Sequence, residues 1–320
     1  MDISKGIAIM GVLIAHSFIV YPVNIQALPW CQHALGIIST FYLVTFFVVS
    51  GYLSFPRGKS LKDILVSRTK RLLIPYAFYA ILNYLVKVCA PSLVNNKVES
   101  FSSYLADVFL YGGELWFLYT LFLISVFWSI ILPIIKNKYN VLFLALTLFF
   151  IDSLIDHEPR FNIFLYTYFI HYSGFFLIGY FLRSLDSLRP LLQNSKVFFV
   201  VLILFIMIDC LFVENLLQMP PLRILCKILG ILFIWMFSFQ LLYNSYYLKK
   251  AFSWCGKNSL GLYWLNGYCL VIARTVIVSV MHLYNSVFIS LGIFLLTLLL
   301  EVVSIIVIKK LPFARLVIGV

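Results

Sequence analysis

Charge is scarce in this sequence. Of its 320 residues, 11% are Asp, Glu, Lys or Arg, where an average soluble domain carries about a quarter, and only 12 are acidic. No part of the chain has the polar surface that a soluble domain needs. Paired cysteine spacing is also missing. The six cysteines are scattered with no C-x-x-C, which argues against a structural zinc site and a disulfide framework. No serine stands in G-x-S-x-G, no Walker-type glycine loop occurs, and the five histidines show no metal-ligand spacing. The common soluble-enzyme motifs are therefore absent, and no metal is expected.

What fills the chain is apolar: 63% of residues are hydrophobic, 18% aromatic, and the mean hydropathy is +1.02. Apolar runs bounded by polar clusters predict ten membrane spans, near 6–22, 34–55, 72–91, 114–135, 140–155, 161–182, 197–213, 222–244, 258–280 and 286–308. An additional interfacial helix is expected over 101–113. The first run has no small-residue cleavage site and is followed at once by more spans, so it reads as a retained helix and not a signal peptide. With the N-terminus inside, 18 of the 24 basic residues fall in cytoplasmic segments; the exceptions are Lys87, Lys97, Arg160, Arg223, Lys227 and Arg274. The positive-inside rule thus predicts an all-α polytopic membrane protein of about ten helices with both termini cytoplasmic. The net charge of +12 is then topology and contact with anionic lipid, and no nucleic-acid partner is expected.

The opening stretch, DISKGIAIMGVLIAH, runs apolar between Lys5 and His16. Eleven helical steps of about 100° bring the two side chains to within about 20° of one face, about 16 Å apart along the axis. A basic group at the membrane edge thus shares a face with an imidazole about half a bilayer deeper. His16 is either an acid–base group or a helix-packing histidine. Further on, RGKSLKDILVSRTKRLLIPY places Arg68 and Arg71 three residues apart, on one face of a helix. Two guanidiniums there would suit a phosphate or pyrophosphate, or would simply be a cytoplasmic loop on anionic lipid. In YGGELWFLYTLF, Glu114 stands beside Trp116 at the outer edge of the fourth run. It would orient a base, bind an acceptor hydroxyl, or belong to an interfacial aromatic belt. A second outer segment, IDSLIDHEPRF, gathers Asp152, Asp156, His157, Glu158 and Arg160.

Several of these segments, in this order, resemble the membrane-bound acyltransferase family 3, of polysaccharide O-acetyltransferase type. DISKGIAIMGVLIAH is similar to the opening segment of that family. FFVVSGYL at 46–53, RTKRLLIPY with Arg68, Arg71 and Pro75, LWFLYTLF, and NSLGLYWLN resemble its later phrases. The resemblance implies a single transmembrane acyltransferase domain over 1–320 in a bacterial inner membrane. It implies an enzyme that takes an acyl group, usually acetyl from cytoplasmic acetyl-CoA, to a glycan or lipid-linked glycan acceptor outside. It gives functional roles to Lys5, Arg68, Arg71 and His16: joined to the residue reading, the first three hold the acyl-CoA and His16 is general base or acyl relay, while Glu114, by its outer position, would contact the acceptor in preference to orienting the imidazole. Asn266 stands where relatives often carry histidine. With no added hydrolase-like domain expected after the last span, transfer would be direct or would use a separate extracytoplasmic acyltransferase partner. The alternative from another class is a multi-span transporter or flippase of glycan intermediates, although no internal repeat of the Lys5–His16 pattern is visible.

Overall fold

The computed structural model describes residues 1–54, 60–89, 100–155, 162–185, 188–212, 220–281, 285–312 and 317. Arg57, Lys59, Lys97, Asp156, His157, Glu158, Arg160, His282 and Arg315 lie outside the described residues.

Among the described residues the chain is all-helical. Its helices are α1 (Asp2–Ser17), α2 (Pro29–Ser39), α3 (Tyr42–Leu53), α4 (Leu61–Arg68), α5 (Ile74–Cys89), α6 (Phe101–Tyr111), α7 (Trp116–Ile131) and α8 (Lys138–Leu154). They continue with α9 (Tyr166–Arg183), α10 (Leu188–Gln193), α11 (Ser195–Phe212), α12 (Pro220–Asn244), α13 (Tyr246–Lys257), α14 (Ser259–Arg274) and α15 (Ser286–Ile308). Seven helical stretches are long and apolar enough to cross a membrane: Pro29–Leu53, Leu61–Cys89, Trp116–Ile134, Ile163–Arg183, Pro220–Leu242, Ser259–Ser279 and Ser286–Ile308. At the other three runs stand α1, α8 and α11, of 16, 17 and 18 residues. The helix expected around 101–113 is α6.

The described chain divides into two compact units, Met1–Val49 with Leu185–Pro312, and Ser50–Ser184 with Phe313–Val320. In the first unit α1 is the central element. Its Ala8, Ile9, Val12 and Leu13 are buried, and it packs closely against α13, because glycines stand at the contact. A Cβ at Gly6 would overlap the Phe252 carbonyl, and one at Gly256 would overlap the carbonyl of Asp2. Small residues let helix backbones approach where side chains would hold them apart. A cluster of Phe18, Ile19, Ile25, Cys31, Ala273, Ile277, Ile289 and Ile293 is buried just beyond the end of α1. α15 is apolar outside and partly polar inside: Phe288, Leu291, Leu295 and Leu299 are exposed, whereas Thr297 and Glu301 are buried. That inversion suits a helix whose outer face meets lipid.

In the second unit, α4 continues into α5 through a π-helical turn, Thr69–Leu73. α8 and α9 pack around the Phe149 and Phe175 rings, 4.8 Å apart and edge to face. Asp152, expected in an outer segment, lies on α8 at 1% exposure. Its Oδ2 pairs with Nδ1 of His171 on α9 at 2.7 Å, as a buried carboxylate requires.

Candidate active site

The most developed polar site of the second unit begins with a stripe on α5. Tyr79, Asn83 and Lys87 are spaced four residues apart, so they stack on one face. All three are buried, Lys87 to 8% exposure. A buried ammonium demands a counter-charge, and Glu114 supplies it: Lys87 Nζ to Glu114 Oε1 is 2.8 Å. The Tyr79 hydroxyl donates to Glu114 Oε2 at 3.0 Å.

The backbone delivers Glu114 to that stripe by a sharp turn. Gly112 and Gly113 have φ of +74° and +53°, a left-handed conformation that favours glycine. Gly112 ends α6 as its left-handed cap. Leu165 presses on the same point, since its Cδ1 lies 2.6 Å from where a Gly112 Cβ would stand. Phe164 and Leu165 are themselves left-handed, at φ of +54° and +52°, an uncommon state for bulky residues that persists only where the surroundings hold it. Strain is thus stored beside the turn that aims Glu114.

Burial pushes the Glu114 carboxyl upward, but hydrogen bonding and charge from Lys87, with hydrogen bonds from Tyr79 and Asn83, outweigh it and hold the group below its ordinary 4.5. A carboxyl depressed by folding stabilises fully above its unfolded pKa, and that stability is lost as pH falls through the folded value. Thermal stability followed by Trp emission is therefore expected to hold down to about pH 4.5 and to decline below it. The Glu114→Gln variant should lack that acid-limb step; an unchanged step would assign it to another carboxyl.

Arg68 and Arg71 do not share the α-helical face expected from their spacing. The π turn begins immediately after Arg68 and widens the helix, so a residue three further on no longer stacks over the first. Arg68 is half-buried and donates from Nη2 to Ser54 Oγ at 2.6 Å. Arg71 is exposed and lines a shallow surface hollow with Lys62 and Lys70. The pair therefore presents one guanidinium anchored on Ser54 and one exposed at the hollow. Such π insertions are frequent at functional sites.

The first unit carries the other residues expected from the sequence. α1 is unbroken from Asp2 to Ser17, so the shared face of Lys5 and His16 and their separation of about 16 Å hold. Lys5 Nζ pairs with Asp2 Oδ1 at 2.9 Å. His16 sits in the last turn, one residue before the helix ends. It is thus at the end of a short helix, not midway along a longer one as the 6–22 run implied. Its imidazole is exposed and makes no hydrogen bond to a described residue. The helix end beneath it is fixed, because Ser17 Oγ donates to the Ile14 carbonyl at 2.7 Å and the Gln26 amide donates to the Phe18 carbonyl at 2.7 Å.

Asn266, also in the first unit, donates from Nδ2 to Glu301 Oε1 at 3.1 Å. Glu301 is wholly buried, and its Oε2 has no hydrogen-bond partner among the described residues. Asn266 thus serves as an amide partner to a buried carboxyl. Glu301 was readable as a lone acid inside the apolar run LLTLLLEVVSIIVI. Lys87 was readable as a lone cation near the end of the third run, but its partner lies 27 residues away. Among the described residues no group of His, Cys, Asp and Glu could hold a metal ion.

The family model described as an acyltransferase domain matches residues 1–307. The chain belongs to acyltransferase family 3. The match runs through both units and favours transfer chemistry over a transporter or flippase. Its seven long apolar helices make this acyltransferase a multi-pass membrane protein. No curated protein and no solved structure matches the chain.

Proposed function

We propose that this acyltransferase moves an acyl group, acetyl in the simplest case, from cytoplasmic acyl-CoA to a hydroxyl of a cell-surface polysaccharide or its lipid-linked precursor. Ten crossings of a bacterial inner membrane, with both termini cytoplasmic, go with this reading, supported by the basic-residue distribution. The observation that carries it is the family match; the exposed imidazole of His16 gives the reaction its base.

In the proposed step, neutral His16 takes the proton from the acceptor hydroxyl. The hydroxyl oxygen attacks the thioester carbonyl carbon, the C–O bond forms, and the C–S bond breaks. Coenzyme A leaves as a thiolate that recovers a proton, and the ester stays on the glycan. An acyl-imidazole relay on His16 is the covalent variant. The base reading is preferred because the acceptor hydroxyl can then attack the thioester directly, without a second transfer. Arg68 and Arg71 bind donor phosphates by forked hydrogen bonds. Lys5 adds charge toward the donor, in competition with its Asp2 partner.

The donor role is testable without turnover. In detergent-solubilised protein, Arg68→Ala and Arg71→Ala should each weaken acyl-CoA binding about tenfold, and Lys62→Ala on the same helix by less than about twofold. Equal losses at all three positions would reduce the effect to general surface charge. Among the arginines, Arg71→Lys should recover less than half of the lost binding energy if forked geometry matters.

A further inference from the structure

The cleft beside the Lys87–Glu114 pair has a composition that the transfer step does not use. It is lined by Tyr79, Asn83, Lys87, Tyr104, Asp107 and Glu114, among others. Space for water amounts to only about 10 Å³, close to one water position. A space that holds one water among several polar groups also fits one alcohol oxygen, which replaces the water's hydrogen bonds.

The charges decide what kind of molecule brings that oxygen. Lys87 is already neutralised by Glu114 at 2.8 Å, and Asp107, exposed at the cleft, adds a second carboxylate. The described lining therefore carries one more negative charge than positive, and an anionic group entering it would meet repulsion. The aromatic lining offers no free cation site at Tyr104, because Lys87 Nζ already stands 5.7 Å from that ring's centre. Tyr79 and Asn83 already hydrogen-bond to Glu114, so what the lining offers is chiefly acceptors, the oxygens of Glu114 and Asp107. Such a set suits hydroxyl groups, which can donate to it.

We propose that this cleft seats one hydroxyl or hydroxymethyl arm of an uncharged, hydroxyl-rich acceptor, and that its carboxylates reject acceptors bearing an acidic group at the same position. The inference rests on the acyl-transfer reading and assigns that reaction a preference for neutral sugar units.

Two probes on one ring test it: methyl glucoside and its glucuronide, which replaces the hydroxymethyl arm by a carboxylate. Binding is read as Trp emission of the full chain in lipid nanodiscs at pH 7. The glucoside should bind at least about tenfold tighter than the glucuronide. The Glu114→Gln variant keeps the side-chain shape and should weaken glucoside binding while narrowing its advantage over the glucuronide to below about threefold. Asn83→Asp, which adds a third carboxylate, should widen that advantage. A glucuronide that binds as tightly as the glucoside, or no binding of the glucoside, would overturn the proposal. Binding needs no donor, so transfer from acyl-CoA without glucoside binding sinks this inference alone. Selective glucoside binding in a protein that transfers no acyl group would uphold the cleft and sink the transfer reading.

Discussion

Replacing His16 by alanine should abolish acylation of the surface glycan while the protein remains inserted and folded. The two halves of that expectation have separate grounds. His16 is exposed at the end of α1 and makes no hydrogen bond to a described residue, so its loss removes little packing; changes at such positions usually stay within about 0.5 kcal/mol. The helix end is held instead by Ser17 and Gln26 and by the buried cluster beyond it. In the proposed mechanism the imidazole is the group that takes the proton, and loss of a positioned general base costs about 10²–10⁴-fold. Mass spectrometry of surface glycans from cells carrying the variant should show loss of the acyl mass, with membrane-fraction protein unchanged. Normal acylation in His16→Ala cells would remove His16 from the mechanism. Acid quenching of the wild-type protein with labelled donor separates base from relay: a label retained on the protein and absent from His16→Ala would favour the covalent route.

The second large effect concerns the foundation under α1. Gly256→Val should cost most of the folded protein, because its Cβ would overlap the Asp2 carbonyl and approach the Gly6 nitrogen at 2.9 Å. Both obstacles are backbone, which no rotamer change can move aside, so α1 and α13 would have to separate. Overpacking of this kind costs about 1–3 kcal/mol and occasionally more. Gly292 provides the contrast within the same unit: a Cβ there meets Ile277 side-chain atoms at 3.1–3.5 Å, which can shift. Fluorescence-detected size exclusion of the solubilised chain should show the monodisperse peak of Gly256→Val reduced several-fold, with Gly292→Ala near wild type. Equal yields from both would mean that the α1–α13 contact does not hold the unit together.

Sequence and structure agree most closely where one unbroken helix carries the information. The Lys5–His16 face follows from periodicity alone, and α1 contains no interruption to disturb it. Apolar run length is less reliable: Phe18 and Ile19 extend the run past Ser17, yet they leave the helix to fill a buried cluster. Hydropathy registers their burial but not the end of the helix. The arginine pair shows another limit. A π turn has no strong local signature in residue type, so the spacing of Arg68 and Arg71 implied a common face that Thr69–Leu73 interrupts.

Pairings between distant helices were the least legible. Glu114 was visible as a candidate because it stood alone beside two glycines, but Lys87 became meaningful only when α5 and the α6–α7 turn were brought together. Asp152 and His171 looked like separate residues near segment ends, and burial on facing helices made them a pair. Glu301 and Asn266 are 35 residues apart in sequence. In each case one partner needs the other because a charged or strongly polar group has left water, and that need is set by packing that no single segment encodes.

The most direct measurement is transfer itself. Purified protein in lipid vesicles would be supplied with acetyl-CoA labelled in the acetyl group and with glycan extracted from cells that lack the chain. The account predicts labelled glycan and free coenzyme A in equal amounts, with neither formed by the His16→Ala protein. Labelled glycan from His16→Ala, or none from the folded wild-type protein, would contradict it.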